Sequence, residues 1–201
     1  VCVYHYNSDR NVVEEKVFIP STESYEFLKE DLGTLTYVNK NNQLFLLFAQ
    51  KLYQVDIETG TSQVLEEGIK QNHFVVSDTK AHAAWLIESG DDAGKIREIE
   101  FDSLKTRDIS PESGKNLRAL GFMNEDLVYG ILSDEDILTD ANGHETEGIS
   151  TLRIESFKGK VKKEYRQDGL YITNVTVGST MMEFELSAKS GNAYTVQKKD
   201  N

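Results

Sequence analysis

The chain has 201 residues and a formal charge of −12, with 38% hydrophobic and 28% charged residues. That length suits one sizeable core rather than two, and the apolar content excludes wholesale disorder. The charge excludes nucleic acid and anionic membrane as partners, both of which need Lys/Arg patches, and leaves solubility, a cation or a basic partner as its meaning.

The longest uninterrupted apolar run is Leu44 to Ala49. A membrane-spanning helix needs about 20 apolar residues, so this region is not expected to insert directly into a bilayer. Val1 opens inside a strand-like segment without a signal-peptide pattern. That reads as an excised or processed region whose anchor would lie elsewhere. Cys2 is the only cysteine, so an intrachain disulfide and a Cys-based zinc site are both excluded.

Val1 to Asn7 alternates apolar and polar residues, and Val12 to Ile19 is again rich in β-branched residues. With Ser8 to Asn11 as a turn, residues 1–19 predict a hairpin that Pro20 ends. Ser21 is placed to cap a helix over Thr22 to Glu30, with Tyr25 and Leu28 on one face.

Four copies of a strand pattern follow. Residues 35–67, 73–110 and 116–167 each predict four short strands separated by polar turns, and residues 170–199 predict three. Asp56 to Gly60 and Phe101 to Lys105 hold the same slot in successive copies, about 45 residues apart, a spacing typical of propeller blades. The third copy is lengthened by a loop from Ser133 to Gly148. The fold class predicted is all-β: a β-propeller-like array of about four four-stranded antiparallel blades. Either the ends share a blade and close a ring, or the chain is an arc of a larger propeller.

Three stretches carry a family resemblance: Leu120 to Gly130, Thr36 to Asn39, and Lys163 to Tyr165 together with Asp168 to Ile172. They resemble segments of membrane-anchored, propeller-containing surface proteins of Gram-positive bacteria. The resemblance implies a propeller-like array outside the cytoplasmic membrane. It implies no activity, cofactor or site residue.

The densest charge lies in the third copy's loop, with Asp134, Glu135, Asp136, Asp140, Glu145 and Glu147 around an Asn142-Gly143 turn. Such oxygen-rich loops suit Ca²⁺. The spacing departs from the EF-hand pattern, so Asp134, Asp136, Asp140 and Glu145 are candidate ligands beside the plain reading of a solvated loop. The equivalent loop of the second copy carries Glu88, Asp91 and Asp92. In a propeller the two loops share a face, which makes Asp91, Asp92, Asp134, Asp136 and His144 the candidate partner-binding face. Its partner is a protein or a small ligand of unassigned identity. His5, His73 and His82 fall at scattered strand positions, and Trp85 reads as core. No nucleophile elbow, phosphate loop or dinucleotide fingerprint is present. The leading expectation is a non-enzymatic binding or sensory scaffold without a cofactor; the alternative is a carbohydrate-active or hydrolytic propeller enzyme.

Overall fold

The computed structural model describes residues 1–140 and 142–201. Strands β1 (Cys2–Asn7) and β2 (Val12–Phe18) form an antiparallel hairpin. Helix α1 (Tyr25–Thr34) comes next, displaced from the predicted Thr22 to Glu30. The displacement has a local cause: Ser21 Oγ accepts a hydrogen bond from the Glu23 N–H at 3.2 Å, which holds a turn where the helix was expected to begin. Ser24 takes the extended conformation of an N-cap instead.

The first four-stranded sheet runs in sequence order: β3 (Thr36–Val38), β4 (Gln43–Phe48), β5 (Lys51–Asp56) and β6 (Thr61–Glu67). The second repeats it with β7 (Phe74–Val76), β8 (His82–Leu86), β9 (Ile96–Glu100) and β10 (Lys105–Ile109). The third begins with β11 (Asn116–Met123) and β12 (Asp126–Leu132). A separate small hairpin of β13 (Ile137–Thr139) and β14 (Glu145–Glu147) is inserted there. The sheet then resumes with β15 (Thr151–Glu155) and β16 (Val161–Tyr165). The last sheet has three strands: β17 (Tyr171–Val177), β18 (Met182–Ser190) and β19 (Ala193–Asp200). All pairings are antiparallel, so the architecture is a propeller-like array of four blades.

Each inner strand is buried on both faces because sheets stack against sheets. In β4, Leu44, Leu46 and Phe48 face one core while Phe45 and Leu47 face the next. The first core lies under the N-terminal hairpin, with Val3, Val17 and Leu28 and Leu32 of α1 covering blade one. The second joins Phe45 and Leu52 of blade one to Trp85 and Ile99 of blade two. The third joins Ala84 and Ile96 to Leu127, Tyr129 and Ile131. The fourth joins Val128, Leu152 and Ile154 to Ile172, Phe184 and Leu186. Each such side chain contributes about 1.5–3 kcal/mol by leaving water.

Polar clasps fasten the outer rim of every junction between blades. Arg97 of β9 donates to Glu66 at the end of β6 at 2.9 Å. Arg107 of β10 donates to Glu155 of β15 at 2.6 Å. Tyr165 of β16 donates to Asp200 of β19 at 3.1 Å. Within the complete blades a cation on the third strand faces a carboxylate on the fourth: Lys51 with Glu67, Arg97 with Asp108, and Arg153 with Glu164.

The stretch from Ser133 to Gly148, expected as a loop, is a 3-10 turn at Asp134–Asp136 followed by the β13–β14 hairpin. Ile137 pairs with Glu147 and Thr139 with Glu145, a ladder too short and too polar to leave a periodic signal. At the two ends of the chain, β1 and β2 pair with one another and β19 pairs with β18. Among the described residues no strand ladder joins the two ends.

Candidate functional site

The antiparallel order of the stacked sheets puts the second-to-third-strand connections at one end of the array. There lie the Glu88 to Gly94 loop, the β13–β14 hairpin and the Gly191-Asn192 turn of the last blade. The hairpin is held at its base. Asp136, 4% exposed, pairs with Lys189 of β18 at 3.2 Å. Its carbonyl accepts from the Tyr194 hydroxyl at 2.9 Å, and Lys189 also donates to the Glu135 carbonyl. Asn192 donates to the Thr139 carbonyl, and Arg118 pairs with Glu147 at 2.5 Å.

Gly148 is the residue that permits this seating. A Cβ there would lie 2.0 Å from the Tyr194 hydroxyl oxygen, which leaves room for glycine alone. At the far end of the hairpin, Asp140 Oδ1 accepts from the backbone N–H groups of Asn142 and His144 at 2.7 and 2.9 Å. Those two bonds hold its carboxyl below the usual carboxylate range. Ala141, within the same Asp140 to Gly143 stretch, lies outside the described residues.

The other acidic residues on this face have local partners. Asp134 accepts from Asn116 at 2.6 Å. Asp92 pairs with Lys95 at 2.5 Å and lies 3.5 Å from Arg97. Glu88 pairs with Lys70 at 2.7 Å and with His73; burial pushes its carboxyl up, and these two partners outweigh that and hold it below the usual range. Asp91, His144 and Glu145 are exposed. The structure thus gathers Asp136, Asp140, His144 and Glu145 on one hairpin, and sets Asp91 and Asp92 on a separate loop. Among the described residues no group of three or more His, Cys, Asp or Glu side chains is placed to hold a metal ion.

A second cluster has no counterpart in the sequence reading. It lies between blades two and three. Arg107 Nε donates to Glu98 Oε2 at 2.7 Å, and Arg107 Nη1 donates to Glu155 Oε1 at 2.6 Å. The Tyr129 hydroxyl donates to Glu155 Oε2 at 2.6 Å. Phe157 covers the cluster, with its ring 6.0 Å from the Arg107 guanidinium carbon and edge-on to His82. The two carboxylates diverge although they share one arginine. Burial, opposed by Arg107, raises Glu98 to about 7. Burial also raises Glu155, but the bonds from Tyr129 and Arg107 outweigh it and hold Glu155 below the usual range. Two donors against one account for the difference, together with the repulsion Glu98 feels from Glu155.

These charges were hidden because each sits at an ordinary polar position of an alternating strand. One signal was available. In β9, Glu98 shares a face with Ile96, and a middle strand covered on both faces has no solvent side for a charge.

Open clefts line the surface, of about 410 Å³ beside β18 and β19 and about 450 Å³ between β15 and the 166–171 segment. Neither includes His82, Glu98, Arg107 or Glu155 in its lining. Among the described residues no helix is long and apolar enough to cross a membrane.

No protein-family model matches the chain, and no curated protein matches it. Among solved structures, U3-55K is similar at 10% identity over 81% of this chain and 50% of that one, with a TM-score of 0.42. The RRP9 WD40 repeats are similar at 10% identity over the same shares, with a TM-score of 0.40. A Lactobacillus plantarum protein is similar at 11% identity over 99% of this chain and 64% of that one, with a TM-score of 0.35. The chain spans about half the length of the first two structures. At these TM-scores the likenesses carry no argument; the four stacked sheets themselves define the architecture.

Proposed function

We propose that the chain is a non-enzymatic binding scaffold, the extracytoplasmic part of a bacterial surface protein, that presents the β13–β14 hairpin to a partner with a basic surface. One observation carries this reading. The hairpin is fixed at its base by Asp136, Glu147 and the Thr139 carbonyl, while Asp140, His144 and Glu145 stand exposed beyond it. A loop held rigid by its scaffold loses little entropy when a partner orders it further. The charge of −12 favours a cationic partner. The location outside the membrane is supported by the resemblance of the 120–130 stretch to Gram-positive surface proteins.

Calorimetric titration with a lysine-rich peptide tests the binding face. Wild type is expected to bind with an affinity that falls as salt rises. The combined Asp91→Asn, Asp140→Asn, Glu145→Gln variant is expected to bind roughly three- to 150-fold more weakly, from ~0.2–1 kcal/mol for each of three exposed charge pairs. Equal affinity in wild type and variant would rule out this face. Protease accessibility on intact source cells tests the location: an extracytoplasmic chain is cleaved without lysis.

A further inference from the structure

Blade two holds a fully buried carboxyl group at its junction with blade three. Glu98 is 0% exposed. Its Oε2 accepts from Arg107, but its Oε1 has no hydrogen-bond partner. His82 Nδ1 lies 3.7 Å from that oxygen and is also without a partner, as is Arg107 Nη2. The His82 ring cannot turn freely, because Phe157 packs edge-on against it at 5.5 Å and Phe122 lies tilted at 6.2 Å.

An ionised Glu98 would bury a charged oxygen, Oε1, that no donor satisfies; a proton on this carboxyl removes that charge. The surrounding charges favour that proton. Around Glu98 stand His82 of β8, Arg107 of β10, Asp126 of β12 and Glu155 of β15. Lys162 of β16 pairs with Asp126 at 2.6 Å, and Glu164 of β16 pairs with Arg153 at 2.7 Å. Glu155 engages Arg107 and Tyr129. Arg107 is therefore left to serve two carboxylates, and an ionised Glu98 leaves a net negative charge in a dry interface.

We propose that Glu98 holds a proton in the folded chain, and that releasing it to solvent loosens blade two from blade three. The protonated state leaves Arg107 one ionised carboxylate to compensate, Glu155 of the neighbouring blade. The deprotonated state keeps the Arg107 bonds but adds the repulsion of Glu98 against Glu155 across the junction.

The sign of the pH effect follows. Burial, the largest cause, raises Glu98 from 4.5 to about 7 in the folded chain. The folded state therefore binds the proton more tightly than the unfolded chain. Its stabilising contribution is complete below about 4.5 and is lost as pH rises to about 7. Across that window the folding equilibrium constant is expected to fall on the order of a hundredfold through this group.

Urea unfolding of the full chain across that window, for wild type and Glu98→Gln, tests the proposal. Glutamine still accepts from Arg107 and carries no charge at any pH. The wild-type midpoint is expected to drop as pH rises; the variant is expected to lack that drop and to be the more stable protein above about pH 7. Parallel pH profiles would overturn the proposal. A second measurement holds even if the variant fails to fold. Infrared spectra of native wild type are expected to show a protonated-carboxyl band persisting near pH 6, where exposed carboxylates are ionised, and vanishing as pH passes 7. Absence of the band near pH 6 would also overturn it.

Discussion

Arg107 bonds Glu98 of its own blade and Glu155 of the next. Its neutral-pH role is to compensate two carboxylates that the stacking of blades two and three takes out of water. Arg107→Met leaves both uncompensated, and removing one partner of a buried ionic group costs about 3–5 kcal/mol. Urea midpoints with an unchanged slope would register that loss. Arg107→Lys is expected to recover only part of it, since a single ammonium cannot reach Glu98 and Glu155 with the two separate nitrogens a guanidinium provides. Tyr129→Phe removes one hydrogen bond to the charged Glu155 and is expected to cost about 1.5–3 kcal/mol by the same assay. Burial, the largest cause, together with Glu155 raises the Tyr129 hydroxyl to about 12, so it stays a donor throughout the accessible pH range. The surface pairs such as Lys51 with Glu67 are worth far less, about 0.2–1 kcal/mol each, because water screens them.

The inserted hairpin is the element whose placement depends most on a single small residue. Gly148→Ala would drive a methyl group into the Tyr194 ring and hydroxyl. Tyr194 would have to move, breaking its bond to the Asp136 carbonyl and loosening the Asp136–Lys189 pair beside it. The expected outcome is faster hydrogen exchange in Ile137 to Glu147 with little change in blades one and two. Exchange unaltered in that segment would show that Tyr194 is not the seat. This hairpin also marks where sequence reasoning stops. Strand after strand was legible, because Gln43 to Phe48 or Leu127 to Leu132 are apolar runs bounded by turn residues. The hairpin's strands, Ile137–Thr139 and Glu145–Glu147, are too short to show a period, and contacts from β11, β18, β19 and the turn between the last two seat them. Helix α1 failed differently, with the right element in the wrong register, because Ser21 and Ser24 are equally good caps on paper. The Glu98 cluster was hidden for a third reason. Glu98, Arg107 and Glu155 are spaced like solvent-facing residues, and burial comes from a neighbouring sheet distant in sequence.

At the scale of the whole molecule, each blade shares an apolar core with the blade beside it. Four apolar cores alternate with four sheets, and every junction between blades carries a clasp between the fourth strand of one blade and the third strand of the next. Glu66 with Arg97, Arg107 with Glu155, and Tyr165 with Asp200 hold equivalent places. Two of these clasps lie near solvent, while the middle one is buried with an extra carboxylate beside it. A stack of this kind distributes stability as a sum of neighbour interactions. Damage at one junction should therefore open the sheets flanking it and leave distant ones closed.

Native-state hydrogen exchange on the full chain, comparing wild type with Arg107→Met, tests that claim most directly. The stacked-blade account predicts lost protection in β8, β9, β12 and β15, with β4 and β5 of blade one keeping theirs. Equal loss across all four blades, or none at the middle junction, would contradict it.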